Sequence, residues 1–253
     1  MVIIKTAKEI GYMEEAGKIL TACHLEIRDL IRPGITTLEI DQFAEEFIRS
    51  HGATPEQKGY KGYPFATCAS VNDEICHGFP TKDSLKDGDI VKIDMVVNLQ
   101  GWLADSAWTY PVGQISKEAE RLIKVTKECL YLGIEASIIG NRVGDISHAI
   151  QSHAEGQGFS VVRDFMGHGI GQIMHEDLQV PHYGRPHRGE RLREGMVFTI
   201  EPMINIGSYH LKIDPNKWTA RTTDGSLSAQ YEHTIAITKN SPLVLTEQRT
   251  KKV

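Results

Sequence analysis

The 253-residue sequence has few cysteines, no long apolar run and no strong excess of charge. Its four cysteines form no CxxC pair and no spacing typical of a disulfide framework, which points to a reducing compartment. No run approaches the roughly 18 apolar residues that a membrane span needs, and no targeting segment is evident. The net charge is −5, whereas a nucleic-acid-binding protein typically has an excess of basic residues. We therefore expect a cytoplasmic protein without a membrane anchor or a direct nucleic-acid site.

Common catalytic and nucleotide-binding signatures are also missing. The sequence has no G-x-G-x-x-G motif and no P-loop lysine, so it does not indicate a nucleotide site. His168 and His175 are seven residues apart, which excludes the HExxH motif of many zinc proteases. No linker rich in proline, glycine or serine divides the chain. We therefore expect residues 1–253 to form a single compact domain.

Helices and strands alternate along the chain. Apolar residues at helical spacing predict helices over residues 6–31, 36–52, 117–137 and 143–158, with Gly52 as a stop for the second. Apolar and β-branched runs predict strands over residues 66–72, 89–97, 102–110, 195–205 and 228–238. This alternation predicts an α/β (α+β) protein.

Two segments of the chain repeat. LKDGDIVKIDMVVN (85–98) aligns without gaps with LREGMVFTIEPMIN (192–205) at an offset of 107, and four of the 14 positions are identical. A weaker match relates residues 34–52 to residues 140–158 at an offset of 106. Similar offsets indicate two pseudo-symmetric halves, roughly 6–110 and 115–245, and not a solenoid, which needs more and shorter repeats.

Two aspartates occupy one predicted hairpin. If VKIDMVVNLQGWLAD turns about Leu99 and Gln100, Asp94 lies directly opposite Asp105. Like charges facing each other across strands are destabilising, so a positive group is expected between them.

Two glutamates extend this acidic set. The repeat superposes Glu201 on Asp94, and Glu232 is predicted in the middle of the strand SAQYEHTIAIT. Buried charges of one sign are costly unless cations neutralise them, and four carboxylates match two divalent ions. His168, in the glycine-rich segment GHGIG, can add one nitrogen ligand, whereas His182 is expected only to flank the pocket.

The expected cofactor is therefore a pair of divalent metal ions. An oxygen-rich set with one imidazole suits cobalt, manganese, iron or zinc better than it suits calcium or magnesium alone. Two such ions can share a bridging water and stabilise both ends of a hydrolytic displacement. The residues alone thus indicate metal-activated hydrolysis.

The ordered motifs VNDEICHGFP, VKIDMVVNLQGWLAD, MGHGIGQIMHE, FTIEPM and LSAQYEHTIAIT resemble type I methionine aminopeptidases of the short bacterial form, from about residue 3 to residue 248. The resemblance implies the pita-bread fold, in which two pseudo-symmetric halves form a central curved antiparallel sheet covered by helices. It implies removal of the initiator methionine from nascent polypeptides when the second residue is small, by attack of a metal-bridged water or hydroxide on the first peptide carbonyl. A monomer that meets its substrates at the ribosome is the corresponding expectation.

The resemblance also implies roles for the metal-binding residues. Asp94 resembles a bidentate ligand, while Asp105 and Glu232 resemble bridging ligands. His168 resembles the sole nitrogen ligand. Glu201 resembles a ligand that also takes the proton from the nucleophilic water.

Further roles carried over from the family concern the substrate. His77 matches a histidine that contacts the amide or amine side of the substrate, and His175 matches one that stabilises the carbonyl oxygen and the tetrahedral intermediate. Met174 stands where many relatives have an aromatic residue, which predicts a different pocket shape. The implied substrate-binding residues are His77, His175, Tyr60, Tyr63, Cys68, Trp218 and Met174.

Two other functions are compatible with parts of this pattern. An X-Pro aminopeptidase or prolidase of the same fold uses the same five ligands, but such enzymes usually carry a further N-terminal domain. A non-catalytic binding protein of this fold is expected to lack at least one ligand, and all five are present here. The tyrosine–cysteine pocket sequence YKGYPFATC favours methionine as the residue removed.

Overall fold

Helices occur in both halves of the chain. The structure, a computed structural model, describes residues 2–247. Within that range the α-helices are α1 (Ala7–Leu30), α2 (Thr37–Ser50), α3 (Lys117–Glu135) and α4 (Val143–Gly156). These helices confirm the four predicted ones to within two residues at each end. Among the described residues, no helix is both long enough and apolar enough to cross a membrane.

Capping residues explain where the first two helices begin. The side chains of Thr6 and Thr36 each accept a hydrogen bond from the backbone N–H three residues later, and the carboxylates of Glu9 and Glu39 accept from the backbone N–H of the threonine in return. Each capping box satisfies two donors that a helix N-terminus leaves without intrahelical partners. After α2, Gly52 has a φ of +74°, which glycine adopts without steric cost, as the predicted stop requires.

The strands form antiparallel sheets beneath these helices. In the described part of the chain they are β1 (Thr54–Pro55), β2 (Cys68–Val71), β3 (Glu74–Cys76), β4 (Ile90–Leu99), β5 (Trp102–Pro111), β6 (Ser160–Val161), β7 (Gly167–Gly169), β8 (Glu176–Val180), β9 (Val197–Ile200), β10 (Met203–Asn205), β11 (Leu211–Ile213), β12 (Ala220–Thr222), β13 (Ser228–Gln230), β14 (His233–Ala236) and β15 (Leu243–Val244). One sheet joins β1, β4, β2 and β5, and a second has the order β15-β14-β9-β7-β8. Two three-stranded sheets, β13-β10-β6 and β11-β12-β3, complete the set.

Each half has its own apolar core. Helices α1 and α2 bury apolar side chains against β4 and β5. Helices α3 and α4 share a second core with β9, β10, β13 and β14. In each half the helices therefore cover one face of the sheets, an arrangement typical of α+β folds.

Equivalent contacts recur in the two halves. Helix α4 begins 106 residues after α2. An isolated backbone bridge links Thr36 to Ser84 just before α2, and a matching bridge links Arg142 to Arg191 just before α4. The short strands β1 and β6 pair with β4 and β10 in the same way. The repeat found in the sequence therefore corresponds to a repeated pattern of backbone pairing.

The hairpin of β4 and β5 differs from its predicted register. Asp94 pairs with Ala107, and Asp105 pairs with Val96, so the prediction that the two aspartates face each other directly is wrong. The turn lies at Gln100 and Gly101, both with positive φ, one residue later than expected. A two-residue hairpin turn needs positive φ, which glycine accepts better than Leu99 does. Moving the turn by one residue moves each partner by two, so both carboxylates stay on the same face.

The positions of the two glutamates also correct the sequence-based prediction. Glu232 was expected in mid-strand, but it lies between β13 and β14, and Glu201 lies between β9 and β10. At both points the chain passes from a three-stranded sheet to the five-stranded one or back. Pro202 cannot donate a ladder hydrogen bond, which explains the break after Glu201. Both carboxylates thus project from gaps between sheets.

A buried ion pair connects the N-terminal segment to strand β8. The Lys5 ammonium pairs with the Glu176 carboxylate, and these side chains are only 2% and 6% exposed. The backbone N–H of Lys5 also donates to Gly195 O over 2.8 Å. Burial lowers the pKa of Lys5, while Glu176 raises it. Glu176 directly follows His175, so this pair fixes the start of β8.

Breaking this pair is expected to destabilise the fold. Lys5→Met leaves the Glu176 carboxylate buried without a counter-charge, which costs about 3–5 kcal/mol of the free energy of unfolding. The double variant Lys5→Met/Glu176→Leu removes both charges and is expected to recover much of that loss. Urea denaturation of the wild type, both single variants and the double variant measures the coupling. Additive losses in the double variant would contradict this account of the pair.

Candidate metal centre

The residues singled out in the sequence meet in one place. A cavity of about 240 Å³ opens between the two halves of the chain. All twelve predicted site residues line it, namely Tyr60, Tyr63, Cys68, His77, Asp94, Asp105, His168, Met174, His175, Glu201, Trp218 and Glu232. Their roles remain predictions, but their convergence on one cavity is a property of the fold.

Four carboxylates form the acidic wall of this cavity. Asp105, Glu201 and Glu232 are 5%, 8% and 2% exposed. Burial raises the pKa of Asp94 to about 7 and that of Glu201 to about 8. The pKa values of Asp105 and Glu232 lie well above the ordinary range, first because of burial and then because of the neighbouring carboxylates. The protein alone therefore disfavours four negative charges here.

His168 points an imidazole nitrogen into this acidic cluster. Its Nδ1 lies 3.1 Å from Gly169 O, which accepts a hydrogen bond and leaves the lone pair on Nε2 free. Nε2 lies 3.6 Å from Asp105 Oδ2 and 3.7 Å from Glu201 Oε1. Burial lowers the pKa of His168 to about 4, so the ring is neutral at pH 7. These separations are too long for hydrogen bonds but suit atoms that share a cation.

Two carboxylate oxygens of this acidic cluster are buried without a hydrogen-bond partner among the described residues. Asp105 Oδ1 and Glu232 Oε1 are buried and accept no hydrogen bond. One ligand atom each from Asp105, His168 and Glu232 lies within 4.8 Å of the other two. Unpartnered buried carboxylate oxygens are costly. The donor set therefore fits divalent cations.

Threonine hydroxyls hold the acidic side chains in position. Thr199 Oγ1 donates to Glu201 Oε1 over 2.9 Å and accepts from the His168 backbone N–H over 2.9 Å. Thr234 Oγ1 bonds both the N–H and the carbonyl of Asp105, which ties β5 to β14 across the two halves. His182, expected only to flank the pocket, accepts the backbone N–H of Glu201 through Nε2 over 3.1 Å.

Gly167 allows the strand that carries His168 to approach the strand that precedes Glu201. A Cβ atom at Gly167 would lie 2.2 Å from the carbonyl oxygen of Thr199. Glycine is therefore required for the close contact between β7 and β9.

The two histidines that are predicted to contact the substrate, His77 and His175, lie beside this centre. The ring centroids of His168 and His175 are 4.2 Å apart. His175 Nδ1 lies 3.0 Å from the Tyr60 hydroxyl, which fixes the ring at the cavity mouth. His77 has a φ of +55°, a strained conformation for a side chain of this size, and burial lowers its pKa to about 4. Both rings can face a bound ligand.

The apolar end of the cavity is aromatic. The Tyr63 and Trp218 rings meet edge to face, with centroids 5.0 Å apart. The Tyr63 hydroxyl donates to Gly78 O over 2.9 Å, so the ring is held in place and its face stays apolar. Cys68 lies next to this wall, where Gln57 Nε2 donates to its Sγ over 3.3 Å. Aromatic faces of this kind pack well against a thioether.

Six residues outside the predicted set of site residues also line the cavity. Val96 lies two positions after Asp94 on the same strand face, a signal that strand alternation could have supplied. The sequence indicates the other five residues only weakly, because their position in the cavity depends on how distant segments of the chain approach the centre. These six residues are Gln57, Lys61, Val96, Phe165, Met166 and Met203.

Comparison with known proteins places the chain in a family. Residues 11–239 match metallopeptidase family M24, so the chain belongs to that family. A methionine aminopeptidase 1 of Bacillus subtilis is 51% identical over 97% of this chain and 99% of that protein. A methionine aminopeptidase of Clostridium perfringens is 53% identical with the same coverage. Within family M24, the chain belongs to the methionine aminopeptidases.

Solved structures agree with this assignment. A crystal structure of methionine aminopeptidase from Rickettsia prowazekii has a TM-score of 0.96 at 44% identity, covering 98% of this chain and 100% of that one. A prolidase from Pyrococcus horikoshii has a TM-score of 0.79 at 25% identity, and the match covers 66% of its chain. The predicted pita-bread fold is thus confirmed, and the prolidase alternative is not favoured.

Proposed function

We propose that this protein removes the N-terminal methionine from nascent polypeptides whose second residue is small. The observation that carries the proposal is the position of the buried carboxylate–imidazole cluster beside an aromatic-walled cavity. A methionine side chain packed against the aromatic wall formed by Tyr63 and Trp218 would place the first peptide carbonyl near the acidic cluster. The relatives named methionine aminopeptidase support this choice of substrate.

Membership of family M24 implies divalent metal ions, and we propose two of them. Asp94, Asp105, His168, Glu201 and Glu232 would hold the pair, with four carboxylates balancing four positive charges. When bound, the ions supply Lewis-acid activation of a water and of the substrate carbonyl. Cobalt, manganese, iron and zinc all suit this donor set, so ligand identity alone does not choose among them.

The side chains around the centre have complementary tasks in the proposed reaction. Glu201 lines the cavity and its carboxylate accepts the Thr199 hydroxyl, so it is placed to take a proton from the attacking water once bound cations favour its ionised form. His175 is placed to donate to the developing oxyanion, and the Tyr60 hydroxyl keeps its ring oriented. His77 faces the amide or amine side of the substrate from the opposite wall.

The remaining sequence-based expectations form part of the same proposal. We propose one catalytic domain over residues 1–253, built from halves at roughly 6–110 and 115–245. A cytoplasmic monomer that meets its substrates at the ribosome, without a nucleic-acid or membrane site of its own, accords with this activity. The complete set of five candidate ligands argues against a non-catalytic binding protein.

Substrate preference tests the proposed function directly. Purified protein supplied with manganese or cobalt is expected to release methionine from Met-Gly and Met-Ala peptides at least tenfold faster than it releases alanine from Ala-Pro peptides. The reason is that the aromatic wall favours burial of a thioether side chain, and a single methylene more or less in an apolar pocket already discriminates by about 10–200-fold. Faster cleavage of the Ala-Pro peptides would overturn the substrate assignment.

A further inference from the structure

A lysine in an unusual backbone conformation stands at the mouth of the cavity. Lys61 lies in the short 3-10 turn Tyr60–Gly62, where its φ is +46°. The flanking Gly59 and Gly62 also have positive φ, at +92° and +87°. Left-handed conformations are uncommon for lysine and are typical of functional loops when the surrounding structure imposes them. The turn therefore holds this side chain at a defined place.

The ammonium group of Lys61 has no acidic partner among the described residues. Its Nζ lies 5.1 Å from the centroid of the Tyr60 ring, a cation–π contact that leaves the hydrogen-bond donors exposed to solvent. Lys58, three residues earlier, differs because its ammonium pairs with Glu45 over 2.5 Å. Among the described residues that line the cavity, Lys61 carries the one lysine or arginine side chain.

The proposed substrate must pass this group. With the methionine side chain in the aromatic end and its carbonyl at the acidic cluster, the rest of the polypeptide leaves through the mouth, next to His175. Burial lowers the pKa of His175, and the nearby charge of Lys61 lowers it further, so the two side chains are neighbours at the mouth. Successive residues of an extended chain advance by about 3.3–3.6 Å, so the third residue of the substrate lies within reach of a lysine side chain.

We propose that Lys61 determines specificity for the charge of the third substrate residue, favouring aspartate or glutamate over lysine or arginine. This inference rests on the proposed function, because it concerns the same cavity and the same peptide. The small second residue leaves room for the lysine to approach the third. An exposed ion pair gives a modest effect, and repulsion of a cationic residue adds to it.

Peptides that differ at one position measure this preference. We expect kcat/KM for Met-Ala-Asp-Ala-Ala-amide to exceed that for Met-Ala-Lys-Ala-Ala-amide by about three- to tenfold at low ionic strength. The ratio is expected to approach one in Lys61→Gln and to invert in Lys61→Glu. Adding 0.5 M NaCl is expected to reduce the wild-type ratio, since salt screens exposed charges. Lys58→Glu makes the same charge change outside the cavity and is expected to keep the wild-type ratio.

The outcomes distinguish a specific role of Lys61 from a general effect of net charge and from failure of the proposed function. Equal kcat/KM values for the two peptides in the wild type would overturn the role of Lys61 while leaving methionine removal intact. A ratio that changes equally in Lys61→Glu and Lys58→Glu would also overturn it, because net charge would then explain the effect. Release of methionine from neither peptide would overturn the proposed function and this inference together.

Discussion

Replacing Glu201 by glutamine is expected to lower kcat for a Met-Ala peptide by about 10²–10⁴-fold, the range that general acid–base catalysis contributes. The amide cannot accept the proton of the attacking water. The fold should survive, since the carbonyl oxygen of glutamine can still accept the Thr199 hydroxyl, which now donates over 2.9 Å. Steady-state kinetics and circular dichroism measure the two properties separately.

Glu194→Gln provides a matched control for this substitution. Glu194 is an exposed carboxylate outside the cavity, so its neutralisation is expected to leave kcat within twofold of the wild type. Turnover by Glu201→Gln at a rate close to that of this control would count against the proton-transfer role of Glu201. A collapsed circular dichroism spectrum would instead show that Glu201 is needed for folding.

Removing divalent metal is expected to abolish turnover, and adding manganese, iron or cobalt is expected to restore it. His168, the imidazole beside the four carboxylates, is neutral at pH 7 and so supplies no counter-charge in place of the metal. Activity is measured after dialysis against a chelator, then during titration with each metal and with magnesium as a comparison. Undiminished turnover in a thoroughly demetallated sample would exclude metal-dependent hydrolysis.

The metal-free protein is also expected to show a characteristic pH dependence. Burial raises the pKa of Asp94 from 3.8 to about 7 and that of Glu201 from 4.5 to about 8. The buried histidines His77 and His168, with pKa values lowered from 6.5 to about 4, add stability as the pH rises from about 4 to about 6.5. The two carboxyls bind more protons in the folded state than in the unfolded state, so their own contribution to stability falls as the pH rises from about 4 to about 8. Saturating metal is expected to remove this fall, because bound cations favour the ionised carboxylates. Thermal unfolding with and without manganese, measured from pH 5 to pH 8, tests the expectation, and identical profiles would contradict it.

The sequence predicted the helices well because their signals are local. The helical spacing of the apolar residues and the stop at Gly52 are visible without any knowledge of tertiary contacts. The internal repeat supplied a long-range constraint, because it placed Glu201 in the position of Asp94. The repeat therefore links the acidic residues of the two halves from the sequence alone.

Features that depend on sheet pairing were harder to predict. The hairpin register was wrong because the choice between Leu99 and Gly101 for a turn position shifts every partner by two residues. Glu232 was placed within one strand because the apolar pattern does not show where a strand changes sheets. The lysine at the cavity mouth carried no sequence signal, since its importance comes from its place beside residues distant in the chain.

Crystals of the protein grown with excess manganese or cobalt, examined by anomalous scattering, test the central claim most directly. That claim is that negative side chains from both halves of the chain share a buried space because cations occupy it. We expect two anomalous peaks within bonding distance of Asp105 and Glu232, one of them bonded to His168 Nε2. A centre without peaks, with these carboxylates turned toward bulk solvent, would contradict the account.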